Sequence, residues 1–123
     1  MTKKNAPFSI KARIKSFGYA LEGVLEFFRQ EHNAIIHLVA TGVVIGLSFV
    51  LKVSNIEAVL LSLSMGLVWI TEIINTAIEK IMDHLSPERN PAVKRIKDIA
   101  AAAVLVAAVT AIITGCFVFI PKL

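Results

Sequence analysis

The sequence predicts an all-α membrane protein in which an interfacial amphipathic N-terminal helix is followed by three transmembrane helices. Its 123 residues are 56% hydrophobic, with a mean hydropathy of +0.74, and a water-soluble domain of this length could not bury so much apolar surface. Segments 33–51 and 99–121 contain no Asp, Glu, Lys or Arg, and a helix needs about 20 mainly apolar residues to cross a bilayer. A third segment is free of charge from Ala58 to Thr71. We therefore expect one membrane-embedded domain over residues 1–123.

The N-terminal helix is expected over residues 8–31, because its apolar residues recur at alternating intervals of four and three. They are Ile10, Ile14, Phe17, Leu21, Val24 and Phe28. The charged side chains lie off this stripe, and the first half of the helix is basic. Such a helix is suited to lie in the membrane interface. Packing of the same stripe against partner helices is an equally good interpretation.

The transmembrane helices are expected over residues 33–51, 56–83 and 91–120. Asn55 is a candidate cap for the second of them, and Asn90-Pro91 is typical of a cap followed by a first-turn proline. Small residues repeat every four positions on the first and third helices. They are Gly42 and Gly46 on the first, and Ala103, Ala107, Ala111 and Gly115 on the third. Because small faces allow close helix contact, we expect a homo-oligomer.

Basic residues cluster before the first span and in the link between the second and third spans. They are Lys3, Lys4, Lys11, Arg13, Lys15 and Arg29 in the first group, and Arg89, Lys94, Arg95 and Lys97 in the second. By the positive-inside rule both groups are cytoplasmic, whereas Lys52 and the C-terminus lie on the far side of the inner membrane. The basic groups suit anionic lipid headgroups or a nucleotide, and the pattern does not support nucleic-acid binding.

Four polar residues follow one face at the end of the second span: Glu72, Asn75, Glu79 and Asp83. At about 3.6 residues per turn they project within an arc of roughly 80°. A carboxylate at the bilayer centre costs about 2.5–3.5 kcal/mol. The stripe should therefore face partner helices, a metal ion or a polar ligand. The alternative interpretation is that the stripe lies where the helix emerges from the membrane at its cytoplasmic end, so that water hydrates the charges. Glu72 fits that second interpretation least well, because apolar residues still follow it.

A second polar group lies at the start of the first span and contains Glu31, Asn33 and His37. Helix ends at one interface should bring it near a set of residues from the other helices: Glu79, Asp83, Lys97 and Asp98. Carboxylates beside lysines suit phosphoryl transfer from a nucleotide, because hard oxygen ligands hold Mg²⁺, cations neutralise phosphate and a base activates the attacking hydroxyl. A glycine-rich phosphate loop is absent from the sequence.

Simpler interpretations exist for several of these residues. Glu31 can be an ordinary charged residue at the membrane interface, and His37 can be a hydrogen-bonded histidine of the core. Asp98 can pair with Lys94 four residues away, and Asn90 can serve only as a cap. A small transport or proton-relay protein is the competing functional class, because intramembrane carboxylates and histidines also mark ion paths. The basic residues beside the carboxylates favour a nucleotide instead. A purely structural subunit would leave Glu72 without a purpose.

Three stretches carry a resemblance to a known family. They are the segment Glu72-Ile-Ile-Asn-Thr-Ala-Ile-Glu79-Lys-Ile-Met-Asp83, the pattern Glu31-x-Asn33-x-x-x-His37, and Lys97-Asp98-Ile-Ala-Ala-Ala-Ala-Val-Leu. They are similar to the prokaryotic integral-membrane lipid kinases, the diacylglycerol kinase and undecaprenol kinase family. The resemblance implies a homotrimer with active sites shared between neighbouring chains, ATP as co-substrate, Mg²⁺ as cofactor and a membrane lipid alcohol as acceptor.

The resemblance also implies roles for individual residues. Glu72 corresponds to the general base, and Asn75 to a residue beside the reacting hydroxyl or the phosphates. Glu31 and Glu79 correspond to the carboxylates that bind Mg²⁺ and ATP. The remaining nucleotide-contacting positions are Arg13, Tyr19, Asp83, Glu88, Arg89, Asn90, Lys97 and Asp98. The Asn33 and His37 pair is closer to the undecaprenol kinase branch, and the role of His37 is open.

Overall fold

Four α-helices and a terminal 3₁₀ turn follow one another along the chain in the computed structural model, which describes residues 7–123. The helices are α1 (Ile10–Gln30), α2 (Asn33–Val50), α3 (Asn55–Leu85) and α4 (Pro91–Phe119), and the turn covers Ile120–Lys122. The described part of the chain contains no β-strand. Lys3 and Lys4, which contributed to the predicted orientation, lie outside the described residues. The all-α prediction is confirmed.

Side-chain caps set where two of the long helices begin. At the start of α3, Ser54 accepts a hydrogen bond from the backbone of Glu57 at 3.1 Å, and the Glu57 side chain accepts one from the backbone of Ser54 at 2.8 Å. This reciprocal capping box satisfies two otherwise unpaired N–H groups, so the prediction of Asn55 as the cap was wrong. Asn90 caps α4 as predicted, with its side chain accepting from Ala92 N at 2.9 Å.

The C-terminal end of α2 closes with a left-handed residue. The backbone N–H of Val53 donates to the carbonyl of Ser48 at 3.2 Å, and Lys52 between them has φ of 52°. This is the hydrogen-bond pattern of a Schellman motif, in which glycine normally occupies the left-handed position. Lys52 therefore holds a backbone conformation that its Cβ disfavours.

The main helix contact joins α3 and α4. The buried residues of α3 lie in its middle part and are Leu61, Ser64, Val68, Glu72, Asn75 and Thr76. On α4 the buried residues are Ala100, Ala107 and Val118. Of the predicted small-residue face of α4, Ala107 is buried and Ala103 is exposed in the single chain. Gly42 and Gly46 face open space in the single chain.

Only the C-terminal end of α1 packs on the other helices. Phe27 is 3% exposed, whereas Ile14 and Phe17 are 65% and 74% exposed. From Ile10 to Val24 the apolar stripe of α1 is therefore exposed within residues 7–123, as expected of an interfacial helix, whereas Phe28 at its end packs against Trp69 of α3.

Among the described residues, three helical segments are long and apolar enough to cross a membrane, namely Asn33–Val50, Asn55–Leu85 and Pro91–Lys122. Most of their large apolar side chains point outward, since there is little apolar interior in a single chain. The predicted count of three transmembrane helices is confirmed.

Candidate functional site

Glu72 is the most deeply placed carboxylate of the polar stripe. It lies on α3 and is 2% exposed. Its Oε2 is 3.2 Å from Nε2 of His37 on α2, and the two residues are 35 positions apart in the chain. A buried carboxylate needs such a polar partner, because burial of an unpaired charge costs several kcal/mol or more. The contact gives the buried carboxylate a defined orientation.

Asn75 and Glu79 continue the same face by one and two helical turns. Nδ2 of Asn75 donates to Oε1 of Glu79 at 3.1 Å, and Asn75 is 6% exposed. Because Nδ2 must face the carboxylate, Oδ1 is the remaining polar atom of this amide. It is buried and has no hydrogen-bond partner in the described structure. An unpartnered buried acceptor is unusual in folded proteins and indicates a place for a donor or a cation.

Glu31 joins this group from the junction of α1 and α2. It follows the last residue of α1, and its Oε2 accepts a hydrogen bond from the hydroxyl of Thr76 at 3.3 Å. Its Oε1 accepts from the backbone N–H of Asn33 at 3.4 Å. Thr76 lies between Asn75 and Glu79 on α3, so Glu31 is brought to the part of the stripe that carries Glu79.

A second cluster surrounds the link between α3 and α4. The cavity there has a volume of about 730 Å³ and is lined by Asp83, Ser86, Pro87, Glu88, Arg89, Asn90, Pro91, Val93, Lys94, Lys97 and Asp98. Six of the predicted nucleotide-contacting residues are therefore gathered at one place. Lys97 forms an ion pair with Asp83 across the two helices. Lys94 pairs with Asp98 at 2.7 Å, as the four-residue spacing predicted.

The comparisons with known proteins agree on one family. A family model described as prokaryotic diacylglycerol kinase matches residues 18–119. The undecaprenol kinase of Bacillus subtilis (strain 168) is 36% identical over 123 residues, 100% of each chain. The diacylglycerol kinase of Escherichia coli (strain K12) is 38% identical over 109 residues, 84% of each chain. The diacylglycerol kinase of Synechocystis sp. is 35% identical over 122 residues, 98% of this chain and 70% of the relative.

This chain belongs to the prokaryotic diacylglycerol kinase family. The membership confirms the resemblance drawn from Glu72–Asp83 and the prediction of a membrane-embedded lipid kinase. The competing prediction of a small transport or proton-relay protein has no support in these comparisons. The roles of the individual residues are not tested by a family match and stay predictions.

Two predicted residues of this kinase-family chain lie apart from both clusters. Arg13 and Tyr19 are on the exposed part of α1, and Tyr19 is 66% exposed. Within residues 7–123 no side-chain hydrogen bond or ion pair joins either of them to α2, α3 or α4. Arg13 also precedes the matched range 18–119. Within the described single chain these two predicted residues therefore have no such contact with either cluster.

The predicted metal ligands have the donor chemistry that Mg²⁺ prefers. No group of three or more His, Cys, Asp or Glu side chains in the described part of the chain converges closely enough to hold a metal ion. Mg²⁺ does not need such a group, since it is usually held by one or two carboxylates together with water and substrate phosphates. Glu31 and Glu79 supply two carboxylates, and Oδ1 of Asn75 is a buried acceptor without a partner in the described structure, so the donor chemistry fits that requirement.

Sequence reasoning missed three residues that organise the site. Thr76 contacts Glu31, and Trp69 donates from Nε1 to the hydroxyl of Thr41 at 2.9 Å beside His37. Thr76 could have been found from its position four residues after Glu72, which places it on the buried face. For Trp69 and Thr41 the signal was weaker, namely a tryptophan three residues before Glu72 and a hydroxyl four residues after His37.

Proposed function

We propose that the chain is an ATP-dependent lipid kinase that transfers the γ-phosphate of ATP to the hydroxyl of undecaprenol, giving undecaprenyl phosphate. The class of activity follows from the family. The acceptor is inferred from the full-length relative named undecaprenol kinase and from the Asn33 and His37 pair of this sequence. Diacylglycerol, which would give phosphatidic acid, is the second acceptor to test.

The observation that carries the proposal is the buried polar group of Glu72 and Asn75 in an otherwise apolar span. Glu72 lies 17 residues after the first residue of α3, about 26 Å along the axis at 1.5 Å per residue. The hydrocarbon layer is about 30 Å thick. Glu72 would therefore lie near one edge of that layer, at the depth of the hydroxyl of a lipid alcohol.

In this mechanism Glu72 is the general base. Its carboxylate takes the proton from the lipid hydroxyl as the hydroxyl oxygen attacks the γ-phosphorus. The bond between the γ-phosphorus and its bridging oxygen breaks, and ADP leaves with that oxygen. Asn75, one turn nearer the cytoplasm on the same face of α3, would orient the acceptor hydroxyl or a phosphate oxygen by donating the second N–H of its amide to that oxygen.

Glu31 and Glu79 would hold Mg²⁺ together with the ATP phosphates. When bound, the ion neutralises phosphate charge and aligns the γ-phosphoryl group for transfer. Glu79 lies seven residues after Glu72, about 10 Å along the helix axis, which is too far for one ion to contact both. The two carboxylates of α3 therefore have separate tasks.

The cavity between α3 and α4 would receive the nucleotide. Arg89 and Lys97 offer positive charge to the phosphates, and Glu88 and Asn90 offer polar contacts. Arg13 and Tyr19 on α1 would reach the nucleotide of a neighbouring chain in a homotrimer, which accounts for their distance from the cavity within one chain. Both clusters and the N-terminus would face the cytoplasm, where ATP is available, with the protein in the inner membrane.

The decisive experiment measures transfer of the labelled γ-phosphate of ATP in mixed micelles with undecaprenol, diacylglycerol and an unrelated lipid alcohol offered separately. We expect undecaprenol to be phosphorylated with the highest kcat/KM. Faster phosphorylation of diacylglycerol would correct the acceptor and leave the lipid kinase intact. Absence of any phosphorylated lipid, with measurable ion flux in liposomes, would overturn the proposal.

A further inference from the structure

The histidine at position 37 contacts the proposed base directly. Nε2 of His37 lies 3.2 Å from Oε2 of Glu72, and the exposed fractions of the two side chains are 18% and 3%. This contact joins α2 to α3. No metal ligand or nucleotide contact proposed above involves His37.

Packing holds the imidazole of His37 in place. The ring meets the indole of Trp69 edge to face, with centroids 6.0 Å apart and planes at 65°. Trp69 is in turn fixed by its hydrogen bond to the hydroxyl of Thr41 at 2.9 Å and by the ring of Phe28 at 5.6 Å. Because Trp69 and Glu72 lie three residues apart on α3, they border His37 from the same face.

The direction of the hydrogen bond follows from the proposed chemistry. A carboxylate must be ionised before it can take a proton, and an ionised carboxylate only accepts hydrogen bonds. Nε2 of His37 must therefore carry a hydrogen and donate it to Oε2 of Glu72. The other carboxylate oxygen, Oε1, is left outside this contact and is available to the acceptor hydroxyl.

We infer that His37 is a positioning residue that holds Oε2 of Glu72 and thereby directs Oε1 toward the hydroxyl of the lipid acceptor. The inference rests on the proposed role of Glu72 as the base. It assigns His37 to the chemical step and excludes a part in binding ATP. A side chain of similar size without a donor would leave Glu72 buried but free to rotate, and a misplacement of about 1 Å at a reacting group can cost about 10²-fold in rate.

The test compares three substitutions of His37 in the full chain, purified in detergent and assayed in mixed micelles. His37→Leu removes the donor, whereas His37→Gln places an amide N–H near the position of Nε2. His37→Asn keeps an amide but is one methylene shorter. We expect His37→Leu and His37→Asn to lower kcat by about 10- to 100-fold with little change in the KM of ATP, and His37→Gln to recover most of the loss.

A double variant separates positioning from general structure. If His37 acts through Glu72, His37→Leu should cause no further loss of kcat in a Glu72→Gln background, because coupled residues are not additive. Equal losses in both backgrounds would overturn the inference, as would a raised KM of ATP or full activity of His37→Leu. His84→Leu, which removes an exposed histidine near the end of α3, is the matched control and should keep wild-type kcat.

The failures of the two proposals have different readouts. If Glu72→Gln itself retains normal kcat, the proposed base is wrong. If Glu72→Gln loses kcat but all three His37 variants keep it, only the positioning role is wrong. Helix content and the oligomer profile in detergent are measured for every variant. Should His37→Leu fail to assemble, the comparison of His37→Gln with His37→Asn decides the same question, because both are polar.

Discussion

The hydroxyl of Thr76 donates a hydrogen bond to Oε2 of Glu31 at 3.3 Å, which connects the junction of α1 and α2 to the polar face of α3. The two residues are 45 positions apart in the chain. A group that orients a metal-binding carboxylate by a hydrogen bond typically contributes about 10- to 100-fold to metal affinity or activity. This contact therefore leads to the first of the predictions that follow.

Thr76→Val should weaken the use of Mg²⁺ by about tenfold or more, because it removes the donor that orients Glu31 while keeping the side-chain volume. The measurement is activity as a function of Mg²⁺ at fixed ATP. Thr110→Val is the matched control, since the Thr110 hydroxyl donates only to a backbone carbonyl of its own helix, at 2.8 Å. An identical Mg²⁺ dependence of the two variants would contradict the role given to Thr76.

Glu79→Gln and Glu31→Gln should each weaken binding of the metal-nucleotide complex and leave the folded assembly intact. An amide keeps the shape of the carboxylate but loses the charge that attracts Mg²⁺. Binding of MgATP by calorimetry, together with the Mg²⁺ dependence of activity, gives the answer. If both single variants have an unchanged Mg²⁺ dependence, the metal is held elsewhere.

Glu72→Gln should lower turnover by about 10²–10⁴-fold, the usual effect of removing a general base. Binding of ATP should change little, because other groups hold the nucleotide. Rates at saturating ATP and lipid, compared with the dissociation constant of ATP, separate the two effects. Loss of ATP binding with near-normal catalysis at saturation would make Glu72 a nucleotide ligand.

Lys97→Gln should raise the KM of ATP with little change in stability. The ion pair of Lys97 with Asp83 is partly exposed, at 34% and 65% of the two side chains, and exposed pairs contribute about 0–1 kcal/mol to folding. Arg95→Gln removes the same charge two residues earlier, outside the cavity lining, and serves as the control. Equal effects of both variants on KM would indicate a general charge effect rather than a contact with ATP.

Lys52→Gly should stabilise the protein by about 0.5–1 kcal/mol, because glycine adopts the left-handed backbone conformation at position 52 with little strain. Part of the gain is offset by the greater conformational entropy of glycine in the unfolded chain. The measurement is thermal unfolding in detergent. Lys52→Ala removes the same charge but keeps the Cβ, so it should bring no gain. An equal increase in the stability of Lys52→Ala would show that loss of the lysine charge, and not relief of backbone strain, causes the stabilisation.

The sequence by itself determined the helices, the count of membrane spans and the polar face of α3. These features depend on local spacing, since apolar length sets a span and the period of about 3.6 residues sets a face. The stripe of Glu72, Asn75, Glu79 and Asp83 was therefore evident from the order of residues alone. So was the cap at Asn90, because the groups that it satisfies lie within two residues of it.

Only the tertiary structure decided which residues meet across helices. His37 with Glu72, Glu31 with Thr76, and Thr41 with Trp69 are pairs separated by 35, 45 and 28 positions. Periodicity gives the face that a helix presents but not its rotation and height against a neighbour, which depend on how all side chains of the contact pack together. The cap of α3 was within reach of the sequence, since Ser54 and Glu57 are only three residues apart, whereas the burial of Ala107 and the exposure of Ala103 in the single chain depend on how α4 packs.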